Sequence, residues 1–471
     1  MKIWINKQEK EDIPQSYSDA LVFNMLEENP ESNLKSDIEK LWRSCSNLGL
    51  SNINEDLLVL SISVFASDKK INRSSSVDAW TRDIELNVPV LEIEKWNKSK
   101  RNLDSLLGFL TGDRWNLQFR KTELHYRNNK TRQKYKQIDK ENIELVSLFS
   151  GGLDSFSGAV KLLEQRKKVC FVGFREYSQL EIRQNDIFNI LKNNYADVQK
   201  DLLVFNCAPR TPEDIHGNKL LNNGENTSRS RSFMFLAGAL AVASQISNGV
   251  PVMIPENGFI GINVPLTDSR RGSCSTRTTH PFFINKLNEI LNELDIKNPV
   301  QNMYAYKTKG EIVEEIKDTP AFKEGYDLTI SCSHPCQARY NGKTIPMNCG
   351  YCYPCLIRKA SLNHAKVIDE NYDYNKIFRE DFIKRIGQFK DKKYNLDDFK
   401  AVLSSLYRFK YLSKKEVKSL IMQTGKLNES EIDMAYRVYI NTMKEVEELT
   451  VKSIDVPERY ITNYAGINKY E

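Results

Sequence analysis

One segment organises this sequence: Glu144-Leu-Val-Ser-Leu-Phe-Ser-Gly-Gly-Leu-Asp-Ser155. Its first half, from Leu145 to Phe149, is a short apolar run of the kind found in strands buried on both faces. Two glycines follow at once, and from Phe156 onward apolar residues recur at helical spacing. The pattern predicts a buried strand, a glycine-containing loop and a helix.

The predicted loop is suited to binding a phosphate group. Its residues are Ser150, Gly151, Gly152, Leu153, Asp154 and Ser155. A phosphate there would meet free backbone N–H groups and the positive end of a helix dipole, and glycine lets it approach because it has no Cβ. The two serines add hydroxyl donors, and Asp154 can hold Mg²⁺. The loop is not a Walker A sequence, because no Gly-Lys-Ser/Thr follows the glycines. The alternative is an ordinary strand–turn–helix corner.

This loop resembles the Ser-Gly-Gly-x-Asp-Ser pyrophosphate loop of the PP-loop ATP pyrophosphatases. Enzymes of this family cut ATP between its α and β phosphates, place AMP on a substrate oxygen and release pyrophosphate. The resemblance implies ATP and Mg²⁺ as cofactors, with the six loop residues as ATP ligands.

After the loop, strands and helices alternate in the pattern of an α/β fold with a doubly wound parallel sheet. Strands are predicted at 169–174, 202–206 and 252–254, and helices at 182–195 and 232–246. A ligand of such a sheet binds beyond the carboxyl ends of the strands. Phe174 and Arg175 are therefore candidate adenine contacts.

Two further segments contain candidate catalytic cations. Arg231 would begin the helix at 232–246 and could neutralise the charge that builds up on a pyrophosphate leaving group. Its segment resembles the Arg-Asn-x-x-Phe-Leu segment of QueC, the 7-cyano-7-deazaguanine synthase family of queuosine biosynthesis, with Ser232 in place of Asn. Thr308-Lys-Gly-Glu-Ile-Val313 resembles the Thr-Lys-x-Glu-Ile segment of that family. The resemblance implies that Asp154, Arg231 and Lys309 are catalytic; the alternative for both cations is a solvated surface position.

A substrate site is predicted from two polar segments. Glu256 and Asn257 stand at the carboxyl end of a predicted strand, where a ligand would bind. The segment 275–281 is dense in hydrogen-bond donors that suit a purine-like edge or a carboxylate. Its candidate residues are Arg277, Thr278, Thr279 and His280. A capped loop whose hydroxyls serve only its own backbone is the alternative. The sequence departs most from QueC in this region, because the Tyr-Pro-Asp-Cys-Arg motif of the QueC substrate region is absent.

The cysteines indicate a metal site. Five of nine lie between Cys332 and Cys355, and Cys349-Gly-Tyr-Cys352-Tyr-Pro-Cys355 is a double C-x-x-C. With one upstream cysteine it makes a four-thiolate zinc site, which is structural because it leaves no open position. The QueC pattern Thr-x-Ser-Cys implies Cys332 as the fourth ligand, but Cys336 could compete for that place. Packed thiols without metal are the alternative.

The rest of the chain predicts three units: an α+β unit at 1–140, the PP-loop unit at 141–370 and a helical unit at 371–471. In the first unit we predict strands at 57–65 and 84–91 and a helix at 103–110. A last strand of the second unit is predicted at 326–331. Helices are predicted at 396–407, 413–422 and 430–449.

Composition excludes several classes of protein. The contents of 40% hydrophobic and 28% charged residues are ordinary for a globular chain. The net charge of +6 is a small excess, and the basic run at 125–140 is interpreted as a linker, so nucleic acid is not an expected partner. No apolar run approaches the roughly 20 residues that span a bilayer, and the first residues lack the apolar core of a signal peptide. We therefore expect a cytoplasmic protein.

The extended layout resembles the QueC-like proteins of bacterial anti-phage operons, the Qat systems and a type of CBASS system. That resemblance implies adenylation of the carboxylate of 7-carboxy-7-deazaguanine, followed by attack of a nitrogen nucleophile on the activated acyl group. In these relatives the expected nucleophile is a protein amine from a partner. Three alternatives stay open: an ammonia-using synthase of the housekeeping type, a PP-loop enzyme that acts on RNA, and a non-catalytic zinc-stabilised subunit of a defence complex.

Overall fold

The structure, a computed structural model of the 471-residue chain, describes residues 1–26, 31–46, 49–126, 135, 137–220, 224–225, 229–267, 277–377 and 397–453. The strands are β1 (Lys2–Asn6), β2 (Leu21–Asn24), β3 (Leu34–Ser36), β4 (Asp83–Val90), β5 (Arg114–Lys121), β6 (Leu145–Leu148), β7 (Val169–Phe174), β8 (Lys200–Phe205), β9 (Cys207–Pro209), β10 (Val252–Ile254) and β11 (Val300–Asn302). The helices are α1 (Glu39–Arg43), α2 (Asn52–Lys70), α3 (Ile93–Thr111), α4 (Leu153–Glu164), α5 (Ser178–Asn194), α6 (Arg231–Ile246), α7 (Gly258–Ile262), α8 (Pro281–Glu293), α9 (Lys309–Glu314), α10 (Pro320–Gly325), α11 (Tyr353–His364), α12 (Asp397–Tyr411), α13 (Lys414–Met422) and α14 (Glu429–Ser453).

The central sheet is parallel and has the spatial order β11-β10-β6-β7-β8. The chain runs outward from β6 through β7 to β8, then returns along α6 to β10 and β11 on the other side of β6. This confirms the predicted α/β fold with a doubly wound sheet. The direction of winding reverses between β6 and β10, which is where such sheets bind their ligands.

Two predictions for the N-terminal unit are wrong: the strand at 57–65 and the α+β class. The segment 57–65 is not a strand but the middle of α2, which is buried along almost its whole length. A helix buried on all sides has the same continuous apolar sequence as a buried strand, so periodicity could not separate them. The order strand, helix, strand then follows, and the sheet β2-β1-β4-β5 is parallel throughout. The N-terminal unit is therefore α/β and not α+β, while the predicted strand at 84–91 and helix at 103–110 lie in β4 and α3.

One hydrophobic core joins the N-terminal unit to the central sheet. It contains residues of β1 and α2 as well as residues of α6, α8 and β11. The helices α2 and α3 pack against α6 and α8, which cover one face of the central sheet. The N-terminal unit therefore shares the apolar interior that supports the candidate site.

The C-terminal part of the chain surrounds the cysteines. Residues of α12, α13 and α14 share a second core with Cys349, Cys352 and Cys355. The predicted strand at 326–331 is wrong: Tyr326–Leu328 is a 3₁₀ turn, and the backbone after it has no strand partner among the described residues. Parts of several predictions lie outside the described residues, namely 127–134 and 136, 268–276, 378–396 and 454–471. None of the described helices combines the length and the apolar character needed to cross a bilayer.

Candidate active site and metal centre

The predicted phosphate loop connects β6 to α4. Gly151 has φ +85°, in the left-handed region that favours glycine, and α4 begins at Leu153 directly after Gly152. The Ser150 hydroxyl accepts a hydrogen bond from Gly152 N at 3.3 Å and lies 3.1 Å from the Ser155 hydroxyl. The Ser155 hydroxyl donates to Gly152 O at 2.9 Å. The serine side chains thus close the loop around the start of a twelve-residue helix.

Three predicted site residues from distant parts of the sequence meet beside this loop. Lys309 Nζ lies 3.1 Å from Asp154 Oδ1, and both side chains are more than nine-tenths buried. Asn257 Nδ2 donates to Asp154 Oδ2 at 2.7 Å. The Asn257 Oδ1 atom accepts from Ile260 N at 3.0 Å, which caps α7 and orients the amide N–H groups toward Asp154. The predicted set is therefore brought together by tertiary contacts.

A second carboxyl group, that of Glu256, belongs to this cluster. Asn257 Nδ2 also donates to Glu256 Oε1 at 3.1 Å, and the Glu256 carboxyl is hydrogen-bonded to Asp154. Burial raises the pKa of Glu256 well above its usual range, and the neighbouring Asp154 charge adds to the shift. Burial acts on Asp154 in the same direction, but the Lys309 ammonium and the hydrogen bonds outweigh it and hold the pKa of Asp154 below its usual value. The surroundings therefore favour the charged form of Asp154 and the neutral form of Glu256.

The topology explains why these residues converge. Asp154 follows β6, and Glu256 with Asn257 follows β10, so they flank the point where the winding of the sheet reverses. Lys309 is the first residue of α9, which follows β11. Carboxyl ends of neighbouring parallel strands lie at one edge of a sheet, so residues 100 or more positions apart become neighbours.

Glu445 fixes the start of the helix that carries Lys309, and no sequence pattern had indicated it. Thr308 and Glu311 form a capping box at the start of α9, and the Thr308 hydroxyl donates to Glu445 of α14. A Cβ on Gly310 would lie 2.5 Å from Glu445 Oε1, so only glycine allows this approach. Burial raises the pKa of Glu445 to about 7. Nothing in the local sequence of either segment indicates that a carboxyl group from α14 fixes the start of α9.

The other predicted ATP contacts lie on the β7 side of the sheet edge. The Phe174 ring is buried against Phe205 and Phe235 in the core. Arg175 donates to Glu181 at 2.9 Å and lies 3.5 Å from Asp37 of the N-terminal unit. Arg231 begins α6 as predicted, and its exposed guanidinium pairs with Glu176. Among the described residues, these three side chains contact neighbours outside the Asp154 cluster.

The segment 277–280 lies between the three parts of the chain. Arg277 donates to Phe109 O of α3 at 3.0 Å, and Thr279 lies against Gly261 of α7. The Thr278 hydroxyl is buried without a hydrogen-bond partner among the described residues. His280 is fully buried, caps α8 and contacts Thr424 in the C-terminal unit. Within the described part of this segment, Thr279 is the residue that contacts α7, which follows β10. Arg277 and His280 make hydrogen bonds to α3 and to the C-terminal unit.

We expect His280 to make the fold sensitive to acid. Phe282 N donates to His280 Nδ1, so the proton of the neutral ring is on Nε2, which contacts Thr424 Oγ1 at 3.0 Å. Burial, aided by Arg277, lowers the pKa of His280 to about 4. The unfolded chain then binds the proton more readily, so stability present above about pH 6.5 falls as the pH drops toward 4, by about 2 kcal/mol at pH 5. Urea unfolding at a series of pH values measures this loss.

The control for that experiment is the exposed His216. The His280→Gln variant should lack the additional loss of unfolding free energy between about pH 7 and about pH 5, whereas His216→Gln should keep it. Parallel curves for the wild type and His280→Gln would contradict the assignment.

Four cysteines form the candidate metal centre. The Sγ atoms of Cys332, Cys349, Cys352 and Cys355 all lie within 4.8 Å of one another. The Cys332–Cys352 and Cys349–Cys355 Sγ separations are 3.8 and 3.9 Å. A tetrahedral site with Zn–S bonds of about 2.3 Å requires edges of about 3.8 Å, so the four thiols fit such an ion. The fifth cysteine, Cys336, is outside the group, which decides between the two candidates that the sequence left open.

No protein-family model matches the sequence, and no curated protein matches it.

Proposed function

We propose that this protein is an AMP-forming, ATP-dependent carbon–nitrogen ligase of the QueC-like kind. It would adenylate the carboxylate of 7-carboxy-7-deazaguanine and pass the acyl group to a nitrogen nucleophile, a protein amine in an anti-phage system. The observation that carries the proposal is the convergence of Asp154, Asn257 and Lys309 beside the phosphate loop, at the point where the sheet reverses its winding.

The cluster supplies the groups that this reaction needs. The Lys309 ammonium is positioned to stabilise charge on the phosphates during attack by the substrate carboxylate on the α-phosphorus and departure of pyrophosphate. Asp154 and Glu256 offer two carboxyl groups within one hydrogen-bonded cluster, and carboxylate oxygens are the ligands that Mg²⁺ prefers. Mg²⁺ bound with ATP would offset the negative charge of the phosphates. Arg231, on the β7 side of the same edge, would approach the leaving group.

The cysteine centre supports the same proposal through its ligand set. Four thiolates in tetrahedral positions select zinc and leave no place for a substrate, so the ion would be structural. The Thr329-Ile-Ser-Cys332 segment that resembles the QueC pattern supplies the ligand which the structure groups with the double C-x-x-C.

The products of ATP turnover test the proposal directly. The protein is incubated with Mg²⁺, ATP and 7-carboxy-7-deazaguanine, and the nucleotide products are separated. We expect AMP and pyrophosphate that depend on the deazaguanine acid. ADP and phosphate would contradict the adenylation mechanism. Mass spectrometry of the proteins encoded beside it then identifies an acylated amine, whereas free nitrile formed at the same rate without any partner would favour ammonia as the acceptor.

A further inference from the structure

A segment beside the cysteine centre touches the phosphate loop at two consecutive points. Ile330 N donates to Gly151 O at 2.9 Å. Leu153 N, at the start of α4, donates to the Ser331 hydroxyl at 3.1 Å. A Cβ on Gly152 would lie 3.4 Å from Ile330 O. Residues 330 and 331 therefore form one wall of the loop that the proposed function assigns to ATP.

The same two residues are fixed by the cysteine centre. Ser331 immediately precedes the candidate ligand Cys332, and its carbonyl oxygen lies 3.7 Å from Cys355 Sγ. Ser331 N donates to Asn348 Oδ1 at 2.8 Å. Asn348 is fully buried and immediately precedes the ligand Cys349. Three candidate ligands thus hold the backbone of Ser331 directly or through one neighbour.

A buried arginine, Arg358, fixes the backbone just before Ser331. Arg358 lies on α11, three residues after Cys355, and is fully buried. Its guanidinium donates to Thr329 O at 3.2 Å and to Tyr326 O at 2.8 Å, and it pairs with Asp369 at 2.8 Å. The backbone is therefore anchored at Tyr326, Thr329 and Ser331, three points shortly before Cys332.

The Ser331 hydroxyl is also a hydrogen-bond donor. It accepts from Leu153 N, and no described residue accepts its own proton. Ser155, by contrast, donates its proton within the loop, to Gly152 O. A phosphate oxygen in the loop would be an acceptor for the Ser331 O–H, and a charged acceptor makes such a bond stronger than a neutral one.

We propose that Ser331 links the cysteine centre to nucleotide binding: it positions the N–H of Leu153 and donates its own hydroxyl to an ATP phosphate. This inference rests on the proposed function, because it takes the loop to be the phosphate site. Coupling of this kind is reciprocal: metal at the cysteines strengthens nucleotide binding, and nucleotide strengthens metal binding by the same free energy. We expect the tighter metal binding to appear as slower release of the metal.

The first measurement is the affinity for a non-hydrolysable ATP analogue, α,β-methylene-ATP, by calorimetry on the full-length metal-loaded protein. We expect Ser331→Ala to raise the Kd about 10-fold, the loss of one hydrogen bond to a charged group. Ser333→Ala is the matched control, because Ser333 is exposed on the other side of Cys332. It should leave the Kd unchanged. Metal content is measured in each variant, so that a lost ion is not mistaken for a lost hydroxyl.

The second measurement is the rate at which a chelator removes the metal, with and without the analogue. We expect the analogue to slow removal in the wild type and in Ser333→Ala, but much less in Ser331→Ala. Equal Kd values for the wild type and Ser331→Ala, or a removal rate that the analogue does not change in the wild type, would overturn the inference. Failure of the wild type to bind the analogue at all would instead overturn the proposed function.

Discussion

Replacing Lys309 by methionine should lower pyrophosphate release by about 10²–10³-fold, the effect of removing one preorganised charge-stabilising group from an active site. Among the described residues, this ammonium group is the only cation within 4 Å of the Asp154 carboxylate, which lies at the end of the predicted phosphate loop. Methionine keeps the length and apolar stem of the side chain but cannot stabilise charge on the phosphates. The rate is measured by a coupled pyrophosphate assay.

The same substitution also changes the carboxyl pair. Without the Lys309 ammonium, burial should raise the pKa of Asp154, because the cation that offsets the cost of a buried charge is gone. The protein should nevertheless fold, because the capping box of α9 does not involve the Lys309 side chain. Circular dichroism of the variant checks this.

Lys307 provides the matched control, two residues before Lys309. It pairs with Glu315, and both side chains are about one third exposed. Lys307→Met removes the same charge outside the cluster and should leave the rate within about twofold of the wild type, as expected for a surface ion pair. Equal rates for Lys307→Met and Lys309→Met would show that Lys309 is not part of the catalytic machinery.

Replacing Cys352 by serine should lower the zinc content from about one ion per chain to about zero and destabilise the C-terminal half of the protein. A structural zinc ion contributes about 10 kcal/mol or more, which is as large as the whole stability of most folded chains. Cys352 also belongs to the core that joins the cysteines to α12, α13 and α14. Elemental analysis and a thermal unfolding curve measure the two effects.

Cys336→Ser is the control for that experiment, because Cys336 lies near the centre in sequence but outside the four-thiol group. It should retain its zinc and unfold with the wild-type transition. Loss of zinc from Cys336→Ser with retention in Cys332→Ser would show that the fourth ligand has been assigned wrongly.

Local signals determined much of the fold. The apolar run, the glycines and the helical periodicity around residues 145–163 are encoded within one segment, and β6, the loop and α4 follow from them. The alternation of elements predicted the doubly wound parallel sheet for the same reason. The error at 57–65 arose where local sequence carries no answer, since α2 is buried on every side by elements that are distant in the chain.

The candidate site divides in the same way. The sequence by itself determined the strand–loop–helix around Gly151, the double C-x-x-C and the carboxyl-end position of Asn257, because each depends on spacings of a few residues. Only the tertiary structure brought Lys309 to Asp154, placed Glu445 behind α9, set Ser331 against Leu153 and grouped Cys332, not Cys336, with the other three thiols. These choices depend on how separate elements pack, and the free energy of packing is distributed over contacts between residues far apart in the chain.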